Sequence, residues 1–269
     1  MSAQKKHKWL ITKPKLTGAQ RKAVWEERHA SGYSNVYSMT DDPELRARIV
    51  SELSALPAHA DILVPGCGSK GLLEKDIAAK VPGCRHVLCT DFAKVAAIPA
   101  ENNRNPVIEY KGLDSAKLGL KEQFDAIVIV NSVLSDNDAE NRKIIASCYD
   151  ALKPGGRLIG FFPTIFWSLD LALTSKSPEW RQYYEDHVDL DTFSEGEKES
   201  PDAQIFYSPL LLNLILKEAG FEKRRQENYF LDSDFFTKQG KEMYDIDDPD
   251  LAAYELFVTA EKPKTPRPG

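Results

Sequence analysis

The sequence predicts an α/β fold with a mostly parallel sheet and helices on both of its faces. Short apolar runs alternate with segments of helical periodicity, and that alternation is typical of βαβ units with right-handed crossovers. The run Phe124–Val130 is apolar except for Asp125, as expected of a strand that helices cover on both faces. We interpret Asp125 as a structural residue at the start of that strand.

The individual elements follow from apolar periodicity and from the residues that interrupt it. Leu45, Ile49 and Leu53 recur at helical spacing, and Gly220 terminates a later helix. The predicted helices are Pro43–Leu56, Gly71–Lys80, Glu140–Leu152 and Pro209–Ala219. The predicted strands are Asp61–Val64, His86–Thr90, Val107–Tyr110, Phe124–Val130, Arg157–Phe162, Phe221–Leu231 and Tyr254–Glu261.

Two long interruptions divide this pattern. The segment 163–208 is too long for an ordinary loop, so we expect it to carry its own helices and to act as a lid. The segment 232–251 is a second, acidic insertion. We therefore predict an N-terminal arm and covering segment at 1–40, one domain at 41–261, and a flexible, proline-rich tail at 262–269.

Composition excludes several classes of protein. No apolar stretch approaches the roughly 20 residues that cross a bilayer, and the polar N-terminus does not resemble a secretory signal. The four cysteines lack metal-site spacing, which favours a reducing cytoplasm and argues against a metal site. The net charge of -6 argues against a large nucleic-acid surface. The first 23 residues are locally basic, so they form either a solvated arm or an RNA-contacting one.

A glycine-rich turn follows the first predicted strand. Gly66 and Gly68 flank the small side chain of Cys67, so a ligand can approach the main chain and the start of the next helix. We read Cys67 as a loop residue rather than a nucleophile. With Gly71, the glycines also satisfy the dinucleotide pattern G-x-G-x-x-G, so this loop alone leaves NAD open.

Polar residues at the ends of the next three strands predict which nucleotide is bound. Asp91 ends the second strand, where a carboxylate can accept hydrogen bonds from both hydroxyls of a ribose. Phe92 follows it and can lie against an adenine. Leu113 and Asp114 follow the third strand, and Asp114 can accept a hydrogen bond from the adenine amino group. After the fourth strand, Asn131 and Ser132 are expected to face the amino-acid part of the cofactor.

The order of these motifs resembles the class I methyltransferases that depend on S-adenosylmethionine (SAM). The similar segments are V-P-G-C-G at 64–68, C-T-D at 89–91, G-L-D at 112–114, F-D-A-I-V-I-V-N-S at 124–132 and A-L-K-P-G-G-R-L at 151–158. The resemblance covers about 58–162, and E-A-G-F at 218–221 with the closing strands extends it to 261. Val64 and Pro65 stand where many members have an acidic residue, so no subfamily is assigned.

The resemblance implies a Rossmann-like fold with a seven-stranded sheet whose last strand is antiparallel. It also implies SAM as cofactor and S-adenosylhomocysteine as product. For this sequence, the resemblance implies that the loop at Gly66, Cys67 and Gly68 holds the methionine moiety of the cofactor. It also implies that Asp91 holds the ribose and Asp114 the adenine.

Candidate acceptor residues come from the lid segment and the N-terminal arm. Trp180, Tyr183, Tyr184 and His187 fall on one face of a helix, either to pack the insertion or to cover the acceptor. His187 and Asp136 are the candidate bases. The remaining candidates for acceptor binding are Trp25, Tyr33, Tyr37 and Trp167.

These observations predict methyl transfer to a nitrogen or oxygen atom of a small molecule, by a monomer or homodimer. In-line displacement from a sulfonium needs orientation and a dry site more than it needs protein chemistry. Three alternatives stay open: an RNA or protein methyltransferase that uses the basic arm, a non-catalytic SAM-binding protein, and an NAD-dependent oxidoreductase. The oxidoreductase is disfavoured because NAD enzymes rarely carry the run A-L-K-P-G-G-R-L at 151–158.

Overall fold

A computed structural model of the chain describes residues 17–32, 38–174, 178–190, 194–195, 204–238 and 253–265. Its helices are α1 (Gly18–Ala30), α2 (Pro43–Leu53), α3 (Leu72–Lys80), α4 (Ala93–Asn102), α5 (Asp138–Ala151), α6 (Ile165–Thr174), α7 (Pro178–His187) and α8 (Pro209–Ala219). Its long strands are β1 (Ala60–Pro65), β2 (Cys84–Asp91), β3 (Ile108–Gly112), β4 (Phe124–Val130), β5 (Leu152–Pro163), β9 (Glu222–Phe230) and β10 (Tyr254–Glu261). Three two-residue strands are β6 (Val188–Asp189), β7 (Ser194–Glu195) and β8 (Gln204–Ile205).

The seven long strands form one sheet in the order β3-β2-β1-β4-β5-β10-β9. Strands β1 to β5 pair in parallel, whereas β10 runs antiparallel to both of its neighbours. The predicted Rossmann-like sheet with an antiparallel last strand is therefore confirmed. The order reverses between β1 and β4, and ligands of open α/β sheets bind beside such a switch point, beyond the carboxyl ends of the strands.

Helices cover both faces of the sheet, as predicted. Along β4, Ile127 packs in one buried cluster with Ile145 of α5, whereas its neighbour Val128 packs in the other with Ile49 of α2. Successive side chains of a strand point to opposite faces, so an apolar strand serves both layers. Asp125 accepts hydrogen bonds from the backbone N–H of Asp61 at 2.9 Å and from Lys153 Nζ at 2.7 Å, consistent with its structural reading.

Two helices that the sequence analysis did not predict are α1 and α4. α1 has no buried residue, and its only large apolar side chains are Val24 and Trp25. It begins with a capping box in which Gln20 N–H donates to Thr17 Oγ1 and the Gln20 side chain accepts from Thr17 N–H. α4 contains Pro99, a residue that usually ends a helix.

The fifth strand begins earlier than predicted. The segment 153–156, which lies between the predicted helix Glu140–Leu152 and the predicted strand Arg157–Phe162, belongs to β5. The backbone of this segment pairs with Lys262, the residue directly after β10. Gly155 N–H donates to the carbonyl of Lys262 at 2.9 Å, and Lys262 N–H donates to the carbonyl of Gly156 at 2.9 Å. Backbone pairing across the sheet thus overrides the local turn tendency.

The insertion between β5 and α8 contains α6, α7 and a small sheet in the order β6-β7-β8. Its last part is tied to the main sheet by Tyr207, which is fully buried and donates from its hydroxyl to the carbonyl of Val133 at 2.6 Å. Tyr207 also forms an isolated bridge with Thr164, directly after β5. Among the described residues, no helix is both long and apolar enough to cross a membrane.

Candidate cofactor and acceptor site

The residues predicted to bind the cofactor follow four neighbouring strands. The glycine loop follows β1, Asp91 ends β2, Asp114 follows β3, and Asn131 and Ser132 follow β4. All four positions are carboxyl ends of parallel strands, so the fold brings them to one edge of the sheet. The switch point between β1 and β4 lies in the middle of this edge.

The glycine loop passes too close to the end of β4 to accept a side chain at Gly66. A Cβ atom at Gly66 would lie 2.3 Å from the Cβ of Ser132. Ser132 Oγ donates a hydrogen bond to the carbonyl of Pro65 at 2.8 Å, which holds the two strand ends together. Gly66, Gly68 and Gly71 all have positive φ, between 66° and 68°, a region that glycine enters without strain.

Asp91 fixes the loop from the neighbouring strand. Its Oδ2 accepts from Gly68 N–H at 2.9 Å, and its Oδ1 accepts from Phe92 N–H at 2.7 Å. Burial raises the pKa of this carboxyl, while the two backbone hydrogen bonds and the neighbouring His29 act in the opposite direction. Each carboxylate oxygen has a second acceptor site, so this geometry fits a ribose whose two hydroxyls donate.

The adenine side of the predicted site is formed after β2 and β3. Phe92 is partly buried and caps α4, and Leu113 N–H donates to the carbonyl of Asp91 at 2.9 Å. Asp114 is exposed, and its Oδ1 caps the short 3-10 turn that follows by accepting from Ala116 N–H at 2.9 Å. These contacts place Phe92, Leu113 and Asp114 around the end of β2, where the sequence predicted an adenine.

Asn131 has a partner that the sequence analysis did not anticipate. It adopts a left-handed backbone conformation at φ 45° directly after β4. Its amide Nδ2 donates to Oε1 of Glu255 on β10 at 2.6 Å, and Glu255 is only 5% exposed. Burial raises the pKa of Glu255 to about 7, with the hydrogen bond from Asn131 acting in the opposite direction.

The unpredicted helix α1 lies over the glycine loop. His29 of this helix contacts Ser69, with Nδ1 and Oγ 3.2 Å apart, and its ring lies beside Gly68. Burial lowers the pKa of His29. Arg21 pairs with both Asp136 and Glu140 at the start of α5, and the side chains of Arg21 and Asp136 are 12% and 11% exposed. The candidate base Asp136 therefore tethers α1 to the domain.

We expect Arg21→Gln to weaken the docking of α1 over the glycine loop. Removing one side of a largely buried ion pair leaves two carboxylates without their cation, so α1 should open more often. Amide hydrogen exchange of residues 18–30 should become about ten-fold faster. The matched control is Lys22→Gln on the same helix, because Lys22 is 48% exposed and its nitrogen is 3.8 Å from Glu26. Equal exchange rates in the two variants would show that the tether does not hold α1.

A cavity of about 410 Å³ adjoins the loop where α1 approaches α4. His29, Ser69 and Lys70 form one side, and Lys94 and Ile98 of α4 form the other. Both lysines have acidic partners: Lys70 pairs with Asp41 at 3.1 Å and Lys94 with Glu26 at 3.2 Å. Asp91 and Asp114 are not among the described residues that line it, so we do not equate this cavity with the cofactor site.

Beneath the loop lies a buried glutamate. Glu74 of α3 is 1% exposed, and its Oε1 has no hydrogen-bond partner among the described residues. Burial raises the pKa of Glu74 from 4.5 to about 7. The folded protein therefore holds this proton more tightly than the unfolded chain does. The resulting stabilisation is fully present below about pH 4.5 and is lost as the pH rises to about 7.

We expect Glu74→Gln to remove the loss of stability that the parent shows as the pH rises to about 7, because glutamine does not ionise. The variant should be more stable than the parent at pH 8 by about 3 kcal/mol, and the difference should shrink to below about 1 kcal/mol at pH 5. Urea unfolding at both pH values measures it. Glu255 also has a raised pKa, but it is present in both proteins and cancels in the difference. A stability difference that does not change with pH would contradict the buried ionisation.

The predicted acceptor residues are only partly described. Tyr183 and His187 of α7 stack with ring centroids 4.5 Å apart, and His187 Nδ1 contacts the carbonyl of Tyr183 at 3.1 Å. Trp25 of α1 lies 5.2 Å from the guanidinium of Arg28. Trp167 and Tyr184 are partly buried on α6 and α7. Tyr33, Tyr37 and the side chain of Trp180 lie outside the described residues.

Comparisons with known proteins agree with this geometry. The family model described as "Methyltransferase domain" matches residues 62–156, which include the glycine loop, Asp91, Asp114 and the end of β4. No curated protein matches the chain.

Solved structures resemble the whole fold. A SAM-dependent methyltransferase of Methanosarcina mazei is 19% identical, with a TM-score of 0.59 over 81% of this chain and 98% of that one. A chain in the complex between the Haloferax volcanii methyltransferase activator Trm112 and a methyltransferase is 14% identical, with a TM-score of 0.61 over 89% and 97%. The N-methyltransferase NodS of Bradyrhizobium japonicum, solved with S-adenosylhomocysteine, is 14% identical, with a TM-score of 0.56 over 90% and 99%.

At these identities the solved structures establish the fold, while the family match covers the segment that carries the cofactor motifs. The backbone cradle at Gly66 and the carboxylate of Asp91 fit the cofactor that the family uses. Residues 62–156 therefore match a methyltransferase domain, and the chain has the Rossmann-like fold of SAM-dependent methyltransferases of known structure.

Proposed function

We propose that this enzyme methylates a nitrogen or oxygen atom of a small-molecule acceptor. The observation that carries the proposal is that the chain covers its own cofactor edge from two sides. α1 lies over the glycine loop and is tethered through Arg21, and the insertion is anchored next to β5 and β4 through Tyr207. Sites enclosed in this way suit small ligands.

A further contact supports the role of the insertion as a lid. Tyr254, the first residue of β10, donates its hydroxyl to Asp170 of α6. Because β10 starts at the carboxyl edge of β5, this contact holds α6 near the end of the sheet where an acceptor would lie. Trp25, Trp167, Tyr183 and Tyr184 are proposed to line the acceptor side, and His187 and Asp136 are the proposed proton acceptors.

The proposed division of labour follows from the chemistry. Bound SAM supplies an electrophilic methyl group on a sulfonium, so this chain has to orient the acceptor and exclude water. The glycine loop and Ser132 are proposed to hold the amino-acid end of the cofactor. Asp91 is proposed to hold the ribose, and the group formed by Phe92, Leu113 and Asp114 is proposed to hold the adenine.

The alternative of an RNA or protein acceptor finds less support. It depends on the basic N-terminal arm, whose residues 1–16 lie outside the described residues. Within the basic first 23 residues the described cations are Arg21 and Lys22, and both pair with acidic side chains of the same chain. All four cysteines are free thiols, in keeping with the proposed cytoplasmic location.

The test is to supply SAM with a labelled methyl group to the purified enzyme together with a cell extract. The extract is separated into small molecules, RNA and protein before the label is counted. We expect label in the small-molecule fraction alone. Label in RNA or protein would instead favour the macromolecular alternative. Binding of SAM without transfer to any fraction would favour a non-catalytic role.

A further inference from the structure

We propose that Asn131 and Glu255 form the acceptor-binding group of this enzyme and that they select a primary amine. The inference rests on the proposed function and narrows it from nitrogen or oxygen acceptors to amines.

The pair is built from two strands that are far apart in the chain. Asn131 is fixed at the end of β4 by its backbone N–H, which donates to the carbonyl of Phe161 at 3.1 Å. Glu255 lies one residue into β10, opposite Pro163 of β5 and Tyr229 of β9. The 2.6 Å bond from Asn131 Nδ2 to Glu255 Oε1 joins them across the carboxyl edge of the sheet.

Each partner keeps one oxygen without a donor. In the described part of the chain, neither Oδ1 of Asn131 nor Oε2 of Glu255 has a hydrogen-bond partner, although both atoms are buried. Buried polar atoms are normally paired, and an unpaired one calls for an explanation such as a bound ligand. Two acceptor oxygens held on one rigid pair would be satisfied by a group that donates two hydrogens.

The pair also lies next to the predicted methionine end of the cofactor. Ser132 follows Asn131 directly, and its side chain touches the loop at Pro65 and Gly66. The Asn131 side chain extends from the same turn towards β10. A group held by Asn131 and Glu255 is therefore on the β5 and β10 side of the switch point, adjacent to the loop.

Hydrogen counting favours an amine over an alcohol. A neutral primary amine donates two N–H groups, one to each free oxygen, and keeps its lone pair for the methyl carbon. An alcohol has one O–H and leaves one oxygen unsatisfied. In transfer, the nitrogen lone pair forms the N–C bond while the C–S bond breaks and its electrons return to sulfur. The product ammonium then passes one proton to the Glu255 carboxylate, which takes the place of His187 and Asp136 as the proton acceptor for an amine.

The ionisation of Glu255 is consistent with this role. Its pKa of about 7 makes it a suitable proton acceptor near neutral pH. From β4 it is faced by the uncharged amide of Asn131, from β5 by Pro163, and from β9 by the phenol of Tyr229, whose pKa burial raises to about 12. Above about pH 7 both carboxylate oxygens are acceptors.

The experiment compares primary amines with alcohols of the same skeleton, namely 2-phenylethylamine with 2-phenylethanol and aniline with phenol. Binding to the enzyme saturated with S-adenosylhomocysteine is measured by calorimetry. We expect the parent to bind at least one amine about 10-fold to 100-fold more tightly than its alcohol, and Glu255→Gln to lose that preference. With SAM and aniline, which stays neutral, the parent's kcat/KM should rise through about pH 7 and the variant's should not.

Two further variants make the outcome decisive. Asn131→Gly keeps the left-handed backbone but removes the amide, and it should also lose the amine preference. Glu261→Gln, at the other end of β10, removes only an exposed ion pair with Lys223 and should behave as the parent. Equal binding of amine and alcohol by the parent, or a preference that Glu255→Gln retains, overturns the inference. Failure of S-adenosylhomocysteine to bind would instead overturn the cofactor assignment.

Discussion

Asp91→Asn is expected to weaken SAM binding about 100-fold, which corresponds to about 2.7 kcal/mol. The carboxylate of Asp91 accepts from Gly68 N–H and Phe92 N–H, one on each oxygen. Asparagine has a single acceptor oxygen, so its amide hydrogens would face one of these donors. The substitution therefore removes the proposed ribose acceptor and also releases one anchor of the glycine loop. Calorimetric titration with SAM measures the loss.

The control is Asp150→Asn, the same substitution at an exposed position near the end of α5. It should bind SAM as the parent does. Thermal unfolding of both variants separates a binding defect from a folding defect, since Asp91→Asn is expected to remain folded at the titration temperature. An affinity within about three-fold of the parent would rule out Asp91 as a principal cofactor ligand.

The sheet was predictable because its strands carry local signals. Buried parallel strands are nearly continuous apolar runs, and Phe124–Val130 was predicted with the bounds that the structure has. Pairing between distant segments leaves no such local signal. The strand β5 begins at Leu152 because Gly155 and Gly156 exchange backbone hydrogen bonds with Lys262, about a hundred residues away.

The cofactor edge was predictable for a similar reason. Each predicted ligand lies at the end of a strand or in the loop just after it, so a correct strand assignment places all of them on one edge of the sheet. The position of α1 over the glycine loop was not predictable from apolar periodicity, because the helix docks through the polar side chains of Arg21 and His29. The capping box at Thr17 and Gln20 was the available local signal for that helix.

Glu255 is the functional candidate that the sequence analysis missed. Its partner Asn131 is 124 residues away in sequence, and a single sequence gives no sign of that contact. The available signal was a carboxylate in the otherwise apolar first half of a predicted strand, Tyr254–Glu261. Charged residues are rarely buried without a partner, so a carboxylate at this position indicates a buried pair or a functional group.

Gly66→Ala is expected to lower the free energy of unfolding by about 3 kcal/mol and to impair SAM binding. The backbone at Gly66 has φ +66°, which costs a residue with a side chain about 1 kcal/mol. The added Cβ would also lie 2.3 Å from Ser132 Cβ and 2.9 Å from Ser132 Oγ. Relieving that overlap requires the ends of β1 and β4 to move apart, at a cost of about 2 kcal/mol. Urea unfolding and SAM titration measure the two effects.

Gly119→Ala separates the two contributions. Gly119 has the same φ of +66°, but a Cβ there would meet no atom within 4 Å. This control should therefore lose only the backbone contribution of about 1 kcal/mol and should bind SAM as the parent does. The difference between the two variants reports the close approach of the loop to Ser132. If both variants lost the same stability, the loop would have room for a side chain, and Gly66 would be required for its backbone conformation alone.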